Sequence, residues 1–155
     1  MTFPVPLTFK LPEGWHAASP TAAGLPESTF VAVHPSSANG FLANLTLTEQ
    51  DRSDAAPLPQ LADESLRRLS SVASTVSLRQ RKEVGSPHAP GLTQVVDLTT
   101  EAGDLVQCQL LISLVDSHNP GRHVIIEIAL TATRTQLPDL IGDFERFAAT
   151  VRVPD

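Results

Sequence analysis

Cysteine, tryptophan and tyrosine are almost absent from this chain of 155 residues. It has one cysteine, Cys108, one tryptophan, Trp15, and no tyrosine. A single cysteine excludes an intramolecular disulfide. The six phenylalanines fall mostly on apolar faces of predicted strands and helices. The chain therefore lacks the exposed aromatic side chains on which nucleic-acid-binding modules stack bases.

Positive charge is also scarce. Eleven Lys and Arg stand against seventeen Asp and Glu, which gives a net charge of −6. An acidic globule repels phosphate backbones. The densest basic stretch, Arg79–Lys82, is predicted to lie on a strand, where Arg79 and Arg81 share a solvated face and Lys82 points the other way. We expect no nucleic-acid partner.

Long hydrophobic runs are missing. No window approaches the ~18 consecutive apolar residues that indicate a membrane-spanning helix. The first residues, Met1–Pro6, contain no basic region and no lipobox cysteine. We therefore expect a cytoplasmic protein with no membrane partner, provided that Met1 is native.

The common catalytic and phosphate-binding motifs are absent. The chain has no Gly-x-Ser-x-Gly elbow, no P-loop and no Gly-x-Gly-x-x-Gly fingerprint. His118 and His123 flank a predicted turn, but Asp116 is the only carboxylate near them, which is too few ligands for a metal site. Cys108 lies mid-strand on an apolar face, where a thiol is typically inert. We expect no catalytic residues, no cofactor and no metal.

What the chain does contain is a series of amphipathic segments. Two predicted helices, Leu58–Ala73 and Gln136–Ala149, bracket several alternating strands, and Val72 belongs to the apolar stripe of the first helix. The predicted strands are Val5–Leu11, Trp15–Ala18, Ser28–His34, Phe41–Thr48, Thr75–Val84, Leu92–Thr100, Val106–Val115 and Arg122–Ala132, with an edge strand at Thr150–Val153.

Grouped strands with inserted helices indicate an α+β fold rather than alternating βαβ units. We expect residues 1–155 to form one domain, an antiparallel sheet of about six to seven strands packed with helices. The segment Asp116–Gly121 predicts the turn between the last two strands. Both helices on one face of the sheet, or one helix on each face, satisfy the pattern.

Two features of the predicted sheet bear on function. Leu111, Val115, Ile125 and Ala129 lie on a mixed face whose apolar surface needs a cover, either a helix, a second subunit or a client protein. Asn44 lies mid-strand, where asparagine is uncommon. We predict a structural role for Asn44, facing solvent or hydrogen-bonded to a loop such as the Pro12–Trp15 turn, in preference to the alternative that it contacts a ligand.

The N-terminal half resembles a known family. Phe9-Lys-Leu-Pro-Glu-Gly-Trp15, followed by Gly40-Phe-Leu-Ala-Asn44-Leu-Thr-Leu47, is similar to the PsbP/Mog-type fold, and Phe144–Val153 is similar to its closing helix. Its relatives include the actinobacterial LpqN-like proteins, the DcrB-like proteins and the Eag-type chaperones of secreted effectors. The resemblance implies an antiparallel sheet sandwiched between helices, a structural role for Trp15, and mostly non-enzymatic functions.

From these features we predict a non-catalytic protein-binding, chaperone-like or adaptor-like module, of the secretion-associated kind that the resemblance suggests. Its partner is an unidentified protein or a second copy of the chain. The alternative is a small-molecule or lipid carrier, which requires an enclosed apolar cavity of several hundred cubic ångströms between sheet and helix. An enzyme would instead require polar groups with displaced pKa values that converge in a cleft.

Overall fold

In a computed structural model, the described part of the chain forms a seven-stranded sheet and two helices. The structure describes residues 7–19, 29–38, 41–52, 56–86, 89–116 and 119–152. The strands are β1 (His16–Ala18), β2 (Thr29–Ala38), β3 (Phe41–Asp51), β4 (Thr75–Ser86), β5 (Ala89–Thr100), β6 (Gly103–Asp116) and β7 (Asn119–Ala132). The helices are α1 (Leu58–Ser70) and α2 (Leu137–Thr150).

The sheet has the strand order β1-β2-β3-β7-β6-β5-β4, and all neighbouring strands are antiparallel. Most neighbours are also consecutive in sequence. The exception is β3 with β7, in which Leu45 lies opposite Leu130. This pair joins the three N-terminal strands to the four C-terminal strands, and α1 lies between the two groups in sequence. The α+β class predicted from sequence is confirmed.

One helix packs on each face of the sheet. On what we call the α2 face, Leu45, Cys108 and Ile128 form the main core with Phe144 and Phe147 of α2. These side chains are at most 7 % exposed. The alternation of buried and partly exposed residues along β3 follows from the two-residue period of a strand.

On the opposite α1 face, α1 covers only part of the sheet. Leu61 and Ala62 of α1 pack on Leu92, Leu111 and Ile125. A second cluster forms where Val96, Leu98 and Leu105 of β5 and β6 meet residues at the end of α1. The helix therefore covers the β5 and β6 side of this face.

Helix boundaries follow from local chemistry. Pro57 precedes α1 and a proline lies in its first turn, where the missing N–H costs no helical hydrogen bond. Before α2, Thr133 and Gln136 satisfy each other: the Thr133 N–H donates to Gln136 Oε1 (2.9 Å) and the Gln136 N–H donates to Thr133 Oγ1 (3.1 Å). This exchange is the reciprocal pattern of a capping box.

Two expectations for the helices and termini are wrong. Helix α1 ends at Ser70, so Val72 lies beyond it and is 76 % exposed instead of belonging to the buried stripe. Leu7, Phe9 and Leu11 alternate as expected, but the described residues 7–11 form only one bridge, Thr8 with Arg152, because their apolar side chains pack over the core instead of extending the sheet edge. Val5, in the same predicted strand, lies outside the described residues, as does Val153 of the predicted C-terminal edge strand.

The last hairpin is tighter than the sequence suggested. Strand β6 runs to Asp116 and β7 begins at Asn119, which lies opposite it. The predicted turn Asp116–Gly121 is therefore mostly strand. Asparagine, proline and glycine are typical of turns, but Asn119 pairs with Asp116 here, and a register shift between Val115 and Asp116 accommodates the residues between Asn119 and His123.

Candidate binding groove

The uncovered part of the α1 face forms a groove of about 580 Å³ beside α1. Its floor consists of Asn44, Thr46 and Thr48 of β3 together with Glu127, Ala129 and Thr131 of β7, and its wall of Ser65, Arg68 and Leu69 of α1 together with Val72. We call it the α1 groove. It exists because α1 lies over β4, β5 and β6 and leaves β3 and the part of β7 from Glu127 to Thr131 uncovered.

The floor is a regular array of cross-strand pairs. Asn44 lies opposite Thr131, Thr46 opposite Ala129, and Thr48 opposite Glu127. Since side chains of opposed residues lie within about 5.5 Å of each other at Cβ, each pair acts as one contact surface. The floor thus offers hydroxyl and amide groups separated by the small Ala129.

An ion pair connects the wall to the floor. Arg68 Nη2 lies 3.3 Å from Glu127 Oε1, and the Arg68 side chain is half exposed. Because the guanidinium is solvated, the pair contributes about 0 to 1 kcal/mol to stability. Arg68 can turn to a bound molecule, but the Glu127 carboxylate, whose side chain is 15 % exposed, then needs another hydrogen-bond donor.

A buried ladder of polar side chains runs under α1 and ends in the groove. Gln94 and Gln109 are each 1 % exposed. Gln94 Nε2 donates to Gln109 Oε1 (2.6 Å), Gln109 Nε2 donates to Gln107 Oε1 (2.5 Å), and Gln107 Nε2 donates to Thr131 Oγ1 (2.8 Å). At the other end, Arg81 donates to Gln94 Oε1 and lies 2.9 Å from Asp63. The ladder leaves its buried amides satisfied, as burial of polar groups requires.

Three described ionisable groups with displaced pKa values lie outside the groove. Hydrogen bonds from Arg52 lower the pKa of the Glu64 carboxyl, and the hydrogen bond to Asp97 raises the pKa of Arg79. Burial raises the pKa of the Cys108 thiol, which agrees with the inert core position predicted for it. These three residues are not part of the groove lining.

Helix α1 covers some of the residues predicted for a partner-facing sheet surface and leaves another in the groove. Leu111 and Ile125 are 2 % and 3 % exposed beneath the helix, so α1 covers them and they face no partner. Ala129 is in the groove floor. The side chain of Val115 lies outside the described side chains. The exposed surface on this face is therefore displaced from the predicted one towards β3.

Asn44 is also in the groove floor. The Pro12–Trp15 turn lies on the α2 side of the sheet, because Trp15 packs in the α2-face core, so Asn44 does not bond that turn. Among the described residues, the Asn44 amide has no hydrogen-bond partner. Trp15 is 5 % exposed and its Nε1–H donates to Asp143 Oδ2 of α2 (2.9 Å).

A second cleft, of about 730 Å³, lies between Lys10–Gly14 and the outer side of α2. Thr150 spans it, since the Lys10 N–H donates to Thr150 Oγ1 (2.9 Å). His88 and His118 lie outside the described residues, and so does the His123 side chain. Over the described ranges, no three His, Cys, Asp or Glu side chains come together as a metal site requires. Neither described helix has the length and hydropathy needed to cross a membrane.

Sequence reasoning missed the ladder and the Arg68–Glu127 pair. A signal for the ladder exists: Gln107 and Gln109 occupy alternate positions of β6, on the same face as the apolar Leu105 and Leu111. Two amides in such a row predict a buried hydrogen-bonded network. The ion pair has no comparable signal, because Arg68 and Glu127 are far apart in sequence.

No protein-family model and no curated protein matches the sequence. Solved structures do match the fold. LpqN of Mycobacterium tuberculosis, described as involved in cell envelope biogenesis, has a TM-score of 0.72 at 8% identity, over 97% of this chain and 86% of its own. The Ran-binding protein Mog1p of Saccharomyces cerevisiae has a TM-score of 0.60 at 18% identity, over 96% and 90%.

The cyanobacterial PsbP (CyanoP) of Synechocystis has a TM-score of 0.65 at 13% identity, over 96% of this chain and 86% of that protein. At these identities the likeness concerns the fold alone. Together with the antiparallel sheet and one helix on each face, it shows that this chain has the PsbP/Mog-type fold.

Proposed function

We propose that this domain is a non-catalytic protein-binding module of the chaperone-like or adaptor-like kind, and that the α1 groove is its binding surface. The observation that carries the proposal is the position of α1, which covers only part of its sheet face and leaves a hydrogen-bonding floor beside the exposed Val72. The named partner of Mog1p, Ran, is itself a protein, which supports a protein-binding role for this fold.

The groove chemistry suits a polypeptide partner. Protein interfaces combine an apolar centre with polar groups that form direct hydrogen bonds. Here Leu69 and Val72 supply apolar surface, the threonines and Asn44 supply hydrogen bonds, and the Arg68–Glu127 pair supplies charges of both signs. The resemblance to the Eag-type chaperones extends the proposal to a client that is secreted.

The non-catalytic part of the proposal is supported by the position of the displaced pKa values. General acids and bases are tuned within the cleft where they act. The pKa of Glu64 is lowered chiefly by Arg52, that of Arg79 is raised by Asp97, and that of Cys108 is raised by burial in the core of the other face, and none of these three groups lines the groove.

The test compares two variants that place an arginine on an exposed apolar residue. Val72→Arg changes the rim of the groove, whereas Leu78→Arg changes a 42 % exposed residue of β4 outside it. Both residues are exposed, so both variants are expected to fold. In affinity capture from the source organism, we expect a specific protein to be retained by the wild type and Leu78→Arg and lost by Val72→Arg. Equal retention by both variants contradicts the proposal.

The carrier alternative draws on the groove volume, which lies within the range of about 300 to 1,000 Å³ typical of ligand pockets. The groove is open and rich in hydroxyl groups, unlike the enclosed apolar cavity that a lipid carrier requires. Native mass spectrometry of the purified protein separates the two functions. A co-purifying small molecule that Val72→Arg releases favours the carrier, and its absence together with a captured protein favours the binding module.

A further inference from the structure

The polar ladder has a direction that its chemistry fixes. An arginine guanidinium donates hydrogen bonds and cannot accept them. Arg81 Nε and Nη2 lie 3.1 and 2.9 Å from one atom of the Gln94 amide, which must therefore be Oε1. The other atom lies 3.2 Å from the carbonyl oxygen of Ala62, which only accepts, so it must be Nε2. The Gln94 amide is thus oriented from both sides.

The orientation of the Gln94 amide fixes the orientation of the next two glutamine amides in the ladder. Because Gln94 presents its NH₂ to Gln109 at 2.6 Å, the facing atom of Gln109 is an oxygen and its other end is the donor. That donor faces Gln107 at 2.5 Å and Ser65 Oγ at 3.0 Å, which makes the facing atom of Gln107 its oxygen. Gln107 consequently presents its NH₂ to Thr131 Oγ1 at 2.8 Å. The three glutamines all donate towards the groove.

The end of the ladder is therefore polarised. Thr131 Oγ1 accepts from Gln107, so the hydroxyl proton of Thr131 is directed to another acceptor. Thr131 lines the groove and lies opposite Asn44, whose amide has no partner within the described residues. A hydroxyl donor and a free amide stand side by side on the floor, and Leu69 and Val72 form the apolar wall.

We propose that the α1 groove recognises a peptide group in an extended segment of its partner protein. The carbonyl oxygen of that group accepts the Thr131 hydroxyl proton, the Asn44 amide pairs with the same or the next peptide group, and an apolar side chain beside it packs on Leu69 and Val72. The choice of occupant rests on this complementarity of donors, acceptors and apolar surface. The inference rests on the proposed protein-binding function and names what that function would recognise.

The probe is N-acetylleucine methylamide, which is uncharged and carries peptide groups and one apolar side chain. The comparison probe is 3-methylbutylammonium, which has the same branched alkyl group but only donors. In NMR titrations we expect the first probe to shift the amide resonances of Thr131 and Asn44 with an affinity in the millimolar range typical of fragments. We expect the second probe to leave them in place.

Two matched variants test the polarity. In Gln107→Glu, an ionised carboxylate replaces the NH₂ group and only accepts, so the Thr131 hydroxyl donates to it and no longer faces the groove as a donor. Gln50→Glu introduces the same charge in the same groove outside the ladder. Since the probe is neutral, we expect binding to weaken about tenfold in Gln107→Glu and by less than about twofold in Gln50→Glu.

A second pair of variants, at Thr131, keeps the proposal testable if Gln107→Glu fails to fold. Thr131→Val removes the hydroxyl and should weaken binding like Gln107→Glu, whereas Thr131→Ser retains it and should bind like the wild type. Equal binding of both probes, equal effects of the two glutamates, or unchanged binding by Thr131→Val overturns the proposal. If Val72→Arg still abolishes capture of the protein partner in that case, the proposed function stands and only peptide-group recognition is wrong.

Discussion

At the scale of single residues, Trp15 connects the N-terminal segment to α2. Its indole is almost fully buried, its Nε1–H donates to Asp143, and its ring meets His34 at a centroid distance of 5.2 Å. Asp143 also pairs with Arg146 one turn along the helix. The structural role that the resemblance implies for Trp15 thus has a specific partner.

The hydrogen bond between Trp15 and Asp143 is expected to contribute about 1.5 kcal/mol, as bonds to charged acceptors do. Trp15→Phe removes the donor but also leaves a small void, so a single variant overstates the bond. A double-mutant cycle with Asp143→Ala isolates the coupling. Urea unfolding of the four proteins measures it, and a coupling near zero would mean that only packing holds Trp15.

The burial of Cys108 is expected to make the free energy of unfolding depend on pH. Burial raises its pKa above the 9.0 of an unperturbed thiol, so the unfolded chain ionises before the folded chain does. The contribution of this pKa difference to the free energy of unfolding is therefore fully present below about pH 9. It is lost as the pH rises through the pKa of the folded state, by at most about 1.4 kcal/mol per pH unit. Cys108→Ala lacks this loss. Unfolding free energies of the two proteins between neutral pH and pH 10 should converge, and a constant difference contradicts the burial effect.

At the scale of elements, α1 is held by two apolar clusters with the glutamine ladder between them. Leu61 and Ala62 form one cluster with β5, β6 and β7, and Leu66 and Leu69 join the other. The ladder meets the helix through the Ala62 carbonyl and the Ser65 hydroxyl. These directional contacts fix the lateral position of α1, and that position creates the groove.

We expect Leu61 to contribute far more to the packing of α1 on the sheet than the Arg68–Glu127 ion pair does. Leu61→Ala removes a 3 % exposed side chain and is expected to lower the free energy of unfolding by about 3 kcal/mol. Arg68→Ala removes a half-exposed ion pair and should cost less than about 1 kcal/mol. Urea unfolding compares them, and a larger loss for Arg68→Ala would show that the ion pair holds the helix.

The faces of the elements were predictable from sequence, but their lateral positions were not. The alternation in Phe41–Thr48 predicted that Ala43, Leu45 and Leu47 share one face of β3, and all three are buried, because a strand has a fixed period of two. The same periodicity placed Leu111 and Ile125 on one mixed face. It could not predict that α1 covers these two and leaves Ala129 open, since helix placement depends on long-range contacts such as Gln109 with Ser65.

At the scale of the whole molecule, the two groups of strands are joined into one sheet by a single pairing between strands that are far apart in sequence. Strand β7 lies between β3 and β6, and Asp51 lies opposite Val124. The remaining pairs are hairpins between consecutive strands. The groove floor is built on the β3–β7 pair, so the candidate site exists only after this long-range pairing has formed. Sequence periodicity carries no information about that pairing, and therefore none about the floor.

This topology predicts the order of folding. Closing a short hairpin loop costs less chain entropy than joining β3 to β7, so the β4–β7 hairpins should form first and β3 should dock last. Leu45→Ala in β3 is then expected to speed unfolding with a φ-value below about 0.3, while Val106→Ala in β6 slows folding with a φ-value above about 0.5. Both side chains are fully buried, which makes the pair well matched. Stopped-flow chevrons measure the two values, and a high φ-value for Leu45 would mean that the long-range pair, and with it the groove floor, forms in the transition state.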